Sequence, residues 1–400
     1  MMDAIIKSIP GQDAMNLERR IKRHVIGGRH SFFAVTPPGQ EKLCRQELES
    51  LDASLTLDPP VKGGVAFGGR LPDLYLANLH LRTAGRVLLR LAVFKATGFS
   101  RLERLIRELA WSLYLPPGAI PRIHVTARRS RLYHTRAVAQ RIEENLSGHW
   151  SDLGIEPAPG EEQTLHVRLA DDLVTLSLDS SGPNLYLRGL KTHGAKAPLR
   201  ETLAALILQI AGYRPDRPLV DPMCGAGTFS LEAALMAKSV PPGLHRRFAF
   251  MQWPAFRPAQ WNHLCKTAAA RIKILDRPVI WASDIDGTAC AQLARCVSQN
   301  GLDDAVRVDT KDFFSLMPSE IADRPGLVVF NPPFGIRLRP DDAVEEMYHR
   351  IALKLRRDFK GWRAALLVPD RRLALGLKLP FKTDDLDHGG LKLTLLTGRL

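Results

Sequence analysis

The run Pro218-Leu219-Val220-Asp221-Pro222-Met223-Cys224-Gly225-Ala226-Gly227-Thr228 decides the fold. Leu219 and Val220 read as a short buried strand, Pro222 forbids its continuation, and the two glycines lead into a helical stretch from Phe229 to Lys238. Strand, glycine-rich turn and helix N-terminus open a doubly wound α/β domain, and the small residues let a ligand approach the backbone closely. Two common nucleotide sites are excluded here. A dinucleotide fingerprint wants a third glycine at position 230, where Ser230 stands, and no Lys-Ser/Thr pair makes the turn a phosphate loop.

The carboxylate at the strand tip narrows the ligand further. Asp221 would repel a pyrophosphate, whereas it suits a molecule carrying an amino group and a cationic sulfonium, namely S-adenosylmethionine. The turn therefore predicts cofactor contacts at Asp221, Pro222, Cys224, Gly225 and Gly227. The next strand, Val279 to Ser283, ends at Asp284, placed to hold ribose hydroxyls, with Ile285 placed to flank adenine. Asp284 follows Asp221 by 63 positions, where about twenty is usual, so residues 239–275 read as an insertion. After the third strand, Val306 to Val308, Asp312 and Phe313 supply a carboxylate for the adenine amine and a ring beside it.

The fourth apolar run, Leu327-Val328-Val329-Phe330, closes in Asn331-Pro332-Pro333-Phe334-Gly335. An Asn side-chain oxygen and a Pro carbonyl can each accept a hydrogen bond from an exocyclic amine, while an aromatic ring stacks on the base. Holding both amine hydrogens in this way returns the lone pair to nitrogen for attack on a methyl group. Asn331, Pro332, Pro333 and Phe334 are the expected catalytic residues. The motif serves adenine N6, cytosine N4 and guanine N2 equally. Four consecutive strand ends thus carry ligand-competent residues, as open α/β sheets require.

Composition limits the setting. The 400 residues are 45% hydrophobic, enough for two or three domains, and no apolar run reaches the roughly eighteen residues of a membrane span. The first ten residues do not read as a secretory signal, so a cytoplasmic protein with no membrane partner is expected. Five cysteines without a C-x-x-C pair indicate neither a disulfide framework nor a metal site. The net charge of +14 is local in origin: residues 82–141 hold thirteen Lys and Arg against two Asp and Glu, whereas residues 142–190 hold two against nine. Such an excess reads as a nucleic-acid footprint. Within it Arg128, Arg129 and Arg131 are candidates for phosphates, and Tyr133 and His134 for stacking on an unpaired base. Residues 1–30 read as a flexible basic leader, ahead of an α+β region.

Ser130-Arg131-Leu132-Tyr133-His134-Thr135, with Asp179-Ser180-Ser181-Gly182 and Arg188-Gly189, resembles the THUMP domain of bacterial class I RNA methyltransferases. Ala197 to Ala205 is similar to the helix that enters the methyltransferase domain there, and Pro242-Gly243-Leu244, Arg247-Phe248 and Trp253-Pro254 to a segment of the insertion. The whole resembles the K/L large-subunit rRNA guanine-N2 methyltransferases in an unfused form, since one glycine-rich cofactor turn occurs. That resemblance implies a ferredoxin-like and THUMP RNA-binding region at 31–188, a Rossmann-like methyltransferase domain at 189–400, and guanine N2 of rRNA, ahead of tRNA, as the target. Phe334 stands where Tyr is common in the family, which keeps stacking and removes a hydroxyl. Two other readings compete: an N6-adenine methyltransferase of RNA or DNA, and a catalytically inactive RNA-binding or ribosome-assembly factor.

Overall fold

The computed structural model describes residues 11–51, 53–190, 199–332, 341–388 and 390–400. They form two compact units, one of residues up to Leu185 together with Arg246–Cys265, the other of Tyr186–His245 and Lys266–Leu400.

In the first unit β1 (His30–Val35), β2 (Thr56–Leu57), β3 (Gly64–Gly69), β4 (Arg86–Lys95), β5 (Ala119–Arg128), β6 (Ala158–Ala170) and β7 (Leu173–Asp179) make one sheet. Its order is β2-β3-β1-β4-β7-β6-β5, antiparallel except for the parallel β5–β6 pair. Alternation decides which face is covered. Phe32, Ala34, Val87, Leu89, Leu165, Val167, Leu176 and Leu178 are buried on one face, beneath the apolar stripes of helices Glu41–Glu49, Leu71–His80, Phe99–Arg107 and Thr135–Asp152.

Two expectations fail in this unit. Among the described residues of the leader, Gly11–Arg20 is an α-helix continued by a π turn, Ile21–Ile26, because Ile21 and Val25 lie one turn apart and are both buried. Residues 246–265, expected as part of the methyltransferase domain, group with the first unit. The cause is aromatic. The Phe250 ring stacks on Tyr75 with centroids 4.6 Å apart, Trp261 meets Tyr75 edge-on, and the Trp253 indole N–H donates to Gln163 Oε1 at 3.0 Å.

The second unit holds β8 (Leu219–Asp221), β9 (Ile280–Asp284), β10 (Val306–Thr310), β11 (Leu327–Phe330), β12 (Arg363–Val368), β13 (Lys382–His388) and β14 (Leu391–Arg399) in the order β10-β9-β8-β11-β12-β14-β13. The first five run parallel, and β14 is antiparallel to both β12 and β13. This is a Rossmann-like sheet. The middle strands β8 and β11 are buried along their whole length, as parallel strands covered on both faces must be, which is why they read as unbroken apolar runs. The chain winds from β8 through β9 to β10 on one side, then returns to place β11 on the other side of β8. That reversal is a topological switch point, the position at which such sheets bind ligands outside their carboxyl ends. Among the described residues no helix is long and apolar enough to cross a membrane.

Candidate active site

The turn after β8 is held by its own backbone and by β9. The Cys224 N–H donates to the Ser283 carbonyl at 2.9 Å, and the Gly227 N–H to the Cys224 carbonyl at 2.7 Å. Gly225 and Gly227 both take left-handed φ, +48° and +73°. Gly227 has a second reason to be glycine, since a Cβ there would lie 2.2 Å from Leu293 Cδ1 on helix Gly287–Gln299. A Cβ at Gly225 would meet nothing within 4 Å, so this backbone faces open space that a ligand can use.

Two carboxylates flank that space. Asp221 is buried, and its Oδ2 accepts from the Ser230 hydroxyl at 2.7 Å. The residue that breaks the dinucleotide pattern thus orients the carboxylate that replaces it. Asp284 accepts from the Gly225 N–H on Oδ2 at 2.9 Å and from the Asp286 N–H on Oδ1 at 3.0 Å. Each oxygen keeps a lone pair for a hydroxyl donor. Ile285, 75% exposed, stands beside it as an apolar surface waiting for a partner. Asp286 caps the next helix, accepting from the N–H of Thr288 at 2.9 Å, a role the sequence reading missed although an Asp before Gly-Thr is a cap signal. Past β10, Asp312 is exposed and accepts from the Phe314 N–H at 3.0 Å on Oδ1.

Three expected contacts need correction or narrowing. Phe313 does not line this edge: its ring is 1% exposed and packs edge-on against Phe330 at 4.9 Å, with the Lys354 ammonium 5.6 Å from its centre. It is core because the sheet and helix Asp341–Asp358 enclose it. Pro222 and Cys224 are buried within the turn, which leaves their backbone as the part a ligand could meet. Burial, then the nearby Asp221, Cys290 and Asp284, push the Cys224 thiol far above its usual pKa, so it is no nucleophile.

At the end of β11, beside β8, lies the most telling atom. Asn331 Oδ1 is buried and has no hydrogen-bond partner among the described residues. A buried acceptor left unpaired costs about 1–3 kcal/mol, so it is kept where a ligand completes it. Pro332 is buried next to it, and Pro333 and Phe334 lie outside the described residues.

The residues expected at RNA lie in the first unit, at the end of β5 and on the loop after it. Arg128, Arg129, Arg131, Tyr133 and His134 are all exposed, and the Tyr133 and His134 rings sit 4.0 Å apart. Two of the arginines already have partners: Arg129 pairs with Asp171 at 3.0 Å, and Arg131 lies 3.9 Å from Asp172.

Residues 188–379 match the RMKL-like methyltransferase domain, and residues 31–88 match the RlmL ferredoxin-like domain. "Putative RNA methyltransferase slr0064" of Synechocystis is 32% identical over 372 residues, covering 91% of this chain and 95% of that protein. The chain belongs to the RMKL-like methyltransferase family. The ribosomal RNA large subunit methyltransferase K/L of Methylococcus capsulatus is 33% identical over 355 residues, 86% of this chain and 47% of that protein. The chain therefore spans about half the length of such K/L relatives. The structure of SMU.472 complexed with SAH is similar with a TM-score of 0.81 and 27% identity, covering 93% of this chain and 98% of that one. The second unit is thus a methyltransferase domain, preceded by a ferredoxin-like region.

Proposed function

We propose that this chain transfers the methyl group of S-adenosylmethionine to an exocyclic amine of a base in structured RNA, guanine N2 of ribosomal RNA first, in the cytoplasm. The observation that carries the reading is Asn331 Oδ1, buried at the switch point of the sheet and without a hydrogen-bond partner among the described residues. An amine entering there would donate to this oxygen, and the neighbouring prolyl carbonyl offers the second acceptor. The residues present fit the cofactor: Asp221 for its cationic amino-acid end, the open backbone at Gly225 for close approach, Asp284 for the ribose diol, and Ile285 with Asp312 for the adenine. S-adenosylmethionine, when bound, supplies a methyl group already activated by its sulfonium.

What the protein contributes is alignment and preorganised acceptors. Asn331 holds the amine hydrogens out of conjugation with the ring, so that nitrogen points its lone pair at the methyl carbon. The Phe334 ring would stack on the base, which must leave its own stack to reach the strand end. The motif selects an amine and not a base. The preference for guanine comes from the family that the sequence resembles, and that for ribosomal RNA from the names of the K/L relatives. Exposed basic residues on the first unit, read as a THUMP module, would dock the RNA.

Asn331→Ala tests this directly. Turnover should be lost while the calorimetric affinity for S-adenosylmethionine stays within about twofold, because the amide acts on the target amine as it approaches the transition state. Retained turnover in this variant would remove the proposal.

A further inference from the structure

Helices cover one face of the first unit's sheet; on the other, the β5 and β6 residues Arg122, His124, Thr126 and Arg168 are exposed, while Ser177 and Asp179 on β7 are buried. The chemistry of that face can be read off the strand register. His124 on β5 pairs with His166 on β6, His166 with Ser177 on β7, and Ser177 with Arg90 on β4. The next residues on the same face are Thr126, Arg168 and Thr175, and Arg122 and Arg128 flank His124 along β5. Arg122, His124, Arg128 and Arg168 are exposed, and Arg90 lies with its guanidinium 4.5 Å from the Phe33 ring centre. Burial lowers the Arg90 pKa, Asp58 opposes this, and the charge of Arg168 adds to it, which places the two arginines within each other's field. Among the described residues, Arg90, Arg122, Arg128 and Arg168 make no ion pair, in contrast to Arg129 and Arg131 on the adjoining loop.

Unpaired cations spread over a flat face, with imidazoles between them, match a polyanion whose bases are free to stack. A duplex keeps its bases stacked inside, where imidazoles on a flat sheet cannot reach them. From β5 to β4 the row spans three strand spacings, about 14 Å at roughly 4.8 Å each, enough for a short stretch of single strand.

We propose that the sheet face bearing Arg122, His124, Arg168 and Arg90 is the RNA-binding surface of the first unit, and that it holds an unpaired RNA segment with phosphates on the arginines and a base against His124. This rests on the reading that the chain acts on RNA, and it moves the main phosphate contacts from the loop at 129–134 to the sheet. The loop arginines already spend charge on Asp171 and Asp172, whereas those of the face are free to displace counterions.

The test is fluorescence anisotropy of a labelled twenty-nucleotide oligouridylate with the full chain, across a potassium chloride series. The double variant Arg122→Gln/Arg168→Gln should flatten the slope of log affinity against log salt by about 1.4, at about 0.7 per single-strand phosphate contact, and weaken binding about 25-fold at 0.1 M salt. Arg129→Gln/Arg131→Gln should change both by much less. An unaltered thermal midpoint and S-adenosylmethionine affinity will show that the variant is folded. If the face variant binds like wild type while the loop variant loses affinity, the sheet-face proposal is wrong and the RNA reading stands. If a twenty-base-pair RNA duplex binds more tightly than the single strand, the unpaired occupant is wrong. Wild-type protein that binds no RNA overturns this proposal and the RNA reading together.

Discussion

Asp284 carries two loads that substitution can separate. Its carboxylate fixes the glycine turn by accepting from the Gly225 N–H at 2.9 Å, and steadies the start of the following helix by accepting from the Asp286 N–H at 3.0 Å. A hydrogen bond to a charged group contributes about 1.5–3 kcal/mol, and partial exposure of Asp284 places each of these at the low end. Asp284→Ala removes both, so urea denaturation should show a loss of about 2–3 kcal/mol. It should also weaken S-adenosylmethionine by about 1–3 kcal/mol in calorimetry, or roughly 5- to 150-fold, because the ribose loses its acceptors. Asp284→Asn keeps one acceptor and should recover about half of the stability, since the amide oxygen can still serve the Gly225 N–H, yet it should recover little of the affinity. Equal recovery of both properties in Asn, or unchanged affinity in Ala, would refute the two-load argument and the assignment of this carboxylate to the cofactor.

Three further outcomes follow from the same geometry. Gly227→Ala must accept left-handed φ and push the buried Leu293 aside, a cost of about 2–4 kcal/mol read by denaturation; Leu293→Ala in the same chain should restore the packing share and leave the backbone share. Asp358 is held well below the usual carboxylate range by its hydrogen bond to Arg357 and by Lys354 at 2.7 Å, against the opposing effect of burial. Its folded pKa is depressed, so its contribution to stability is complete above the unfolded value of about 3.9 and is lost as pH falls below that toward the folded value. Asp358→Asn should flatten the acid limb of the stability profile, and an unchanged limb would show that other carboxylates govern it. Asn331→Ala, as above, should separate turnover from cofactor affinity.

What the sequence could reveal depended on whether the deciding contacts were local. β8, its turn and the helix behind it are a local unit, and the buried parallel strands β9 and β11 announce themselves as apolar runs with a break after them. Contacts between distant segments were hidden. Nothing in residues 246–265 states that Phe250 will stack on Tyr75, 175 positions earlier, and so that segment was grouped with the wrong unit. The basic residues of 19–23 masked the apolar pair Ile21 and Val25, which is enough to anchor a helix. β6 begins at Ala158 and so starts inside a Pro/Gly stretch, residues 156–160, that carries no strand signal of its own and is held by its pairing with β5. At the site, Asp312 and Phe313 looked alike as neighbours, but Asp312 is the extended cap of a short 3-10 turn and Phe313 its first residue, so one side chain stays in solvent and the other enters the core. The charge count located a basic segment without telling which arginines would spend their charge on Asp171 and Asp172.

The account stands on the identity of the methylated atom. Purified protein, isotopically methyl-labelled S-adenosylmethionine and ribosomal RNA lacking the modification should yield, after digestion to nucleosides and mass spectrometry, label on an exocyclic amine, with N2-methylguanosine as the product. N6-methyladenosine would overturn the choice of guanine alone. Label on a ring nitrogen, a ribose oxygen or a pyrimidine carbon would contradict the role given to Asn331 and the chemistry built on it.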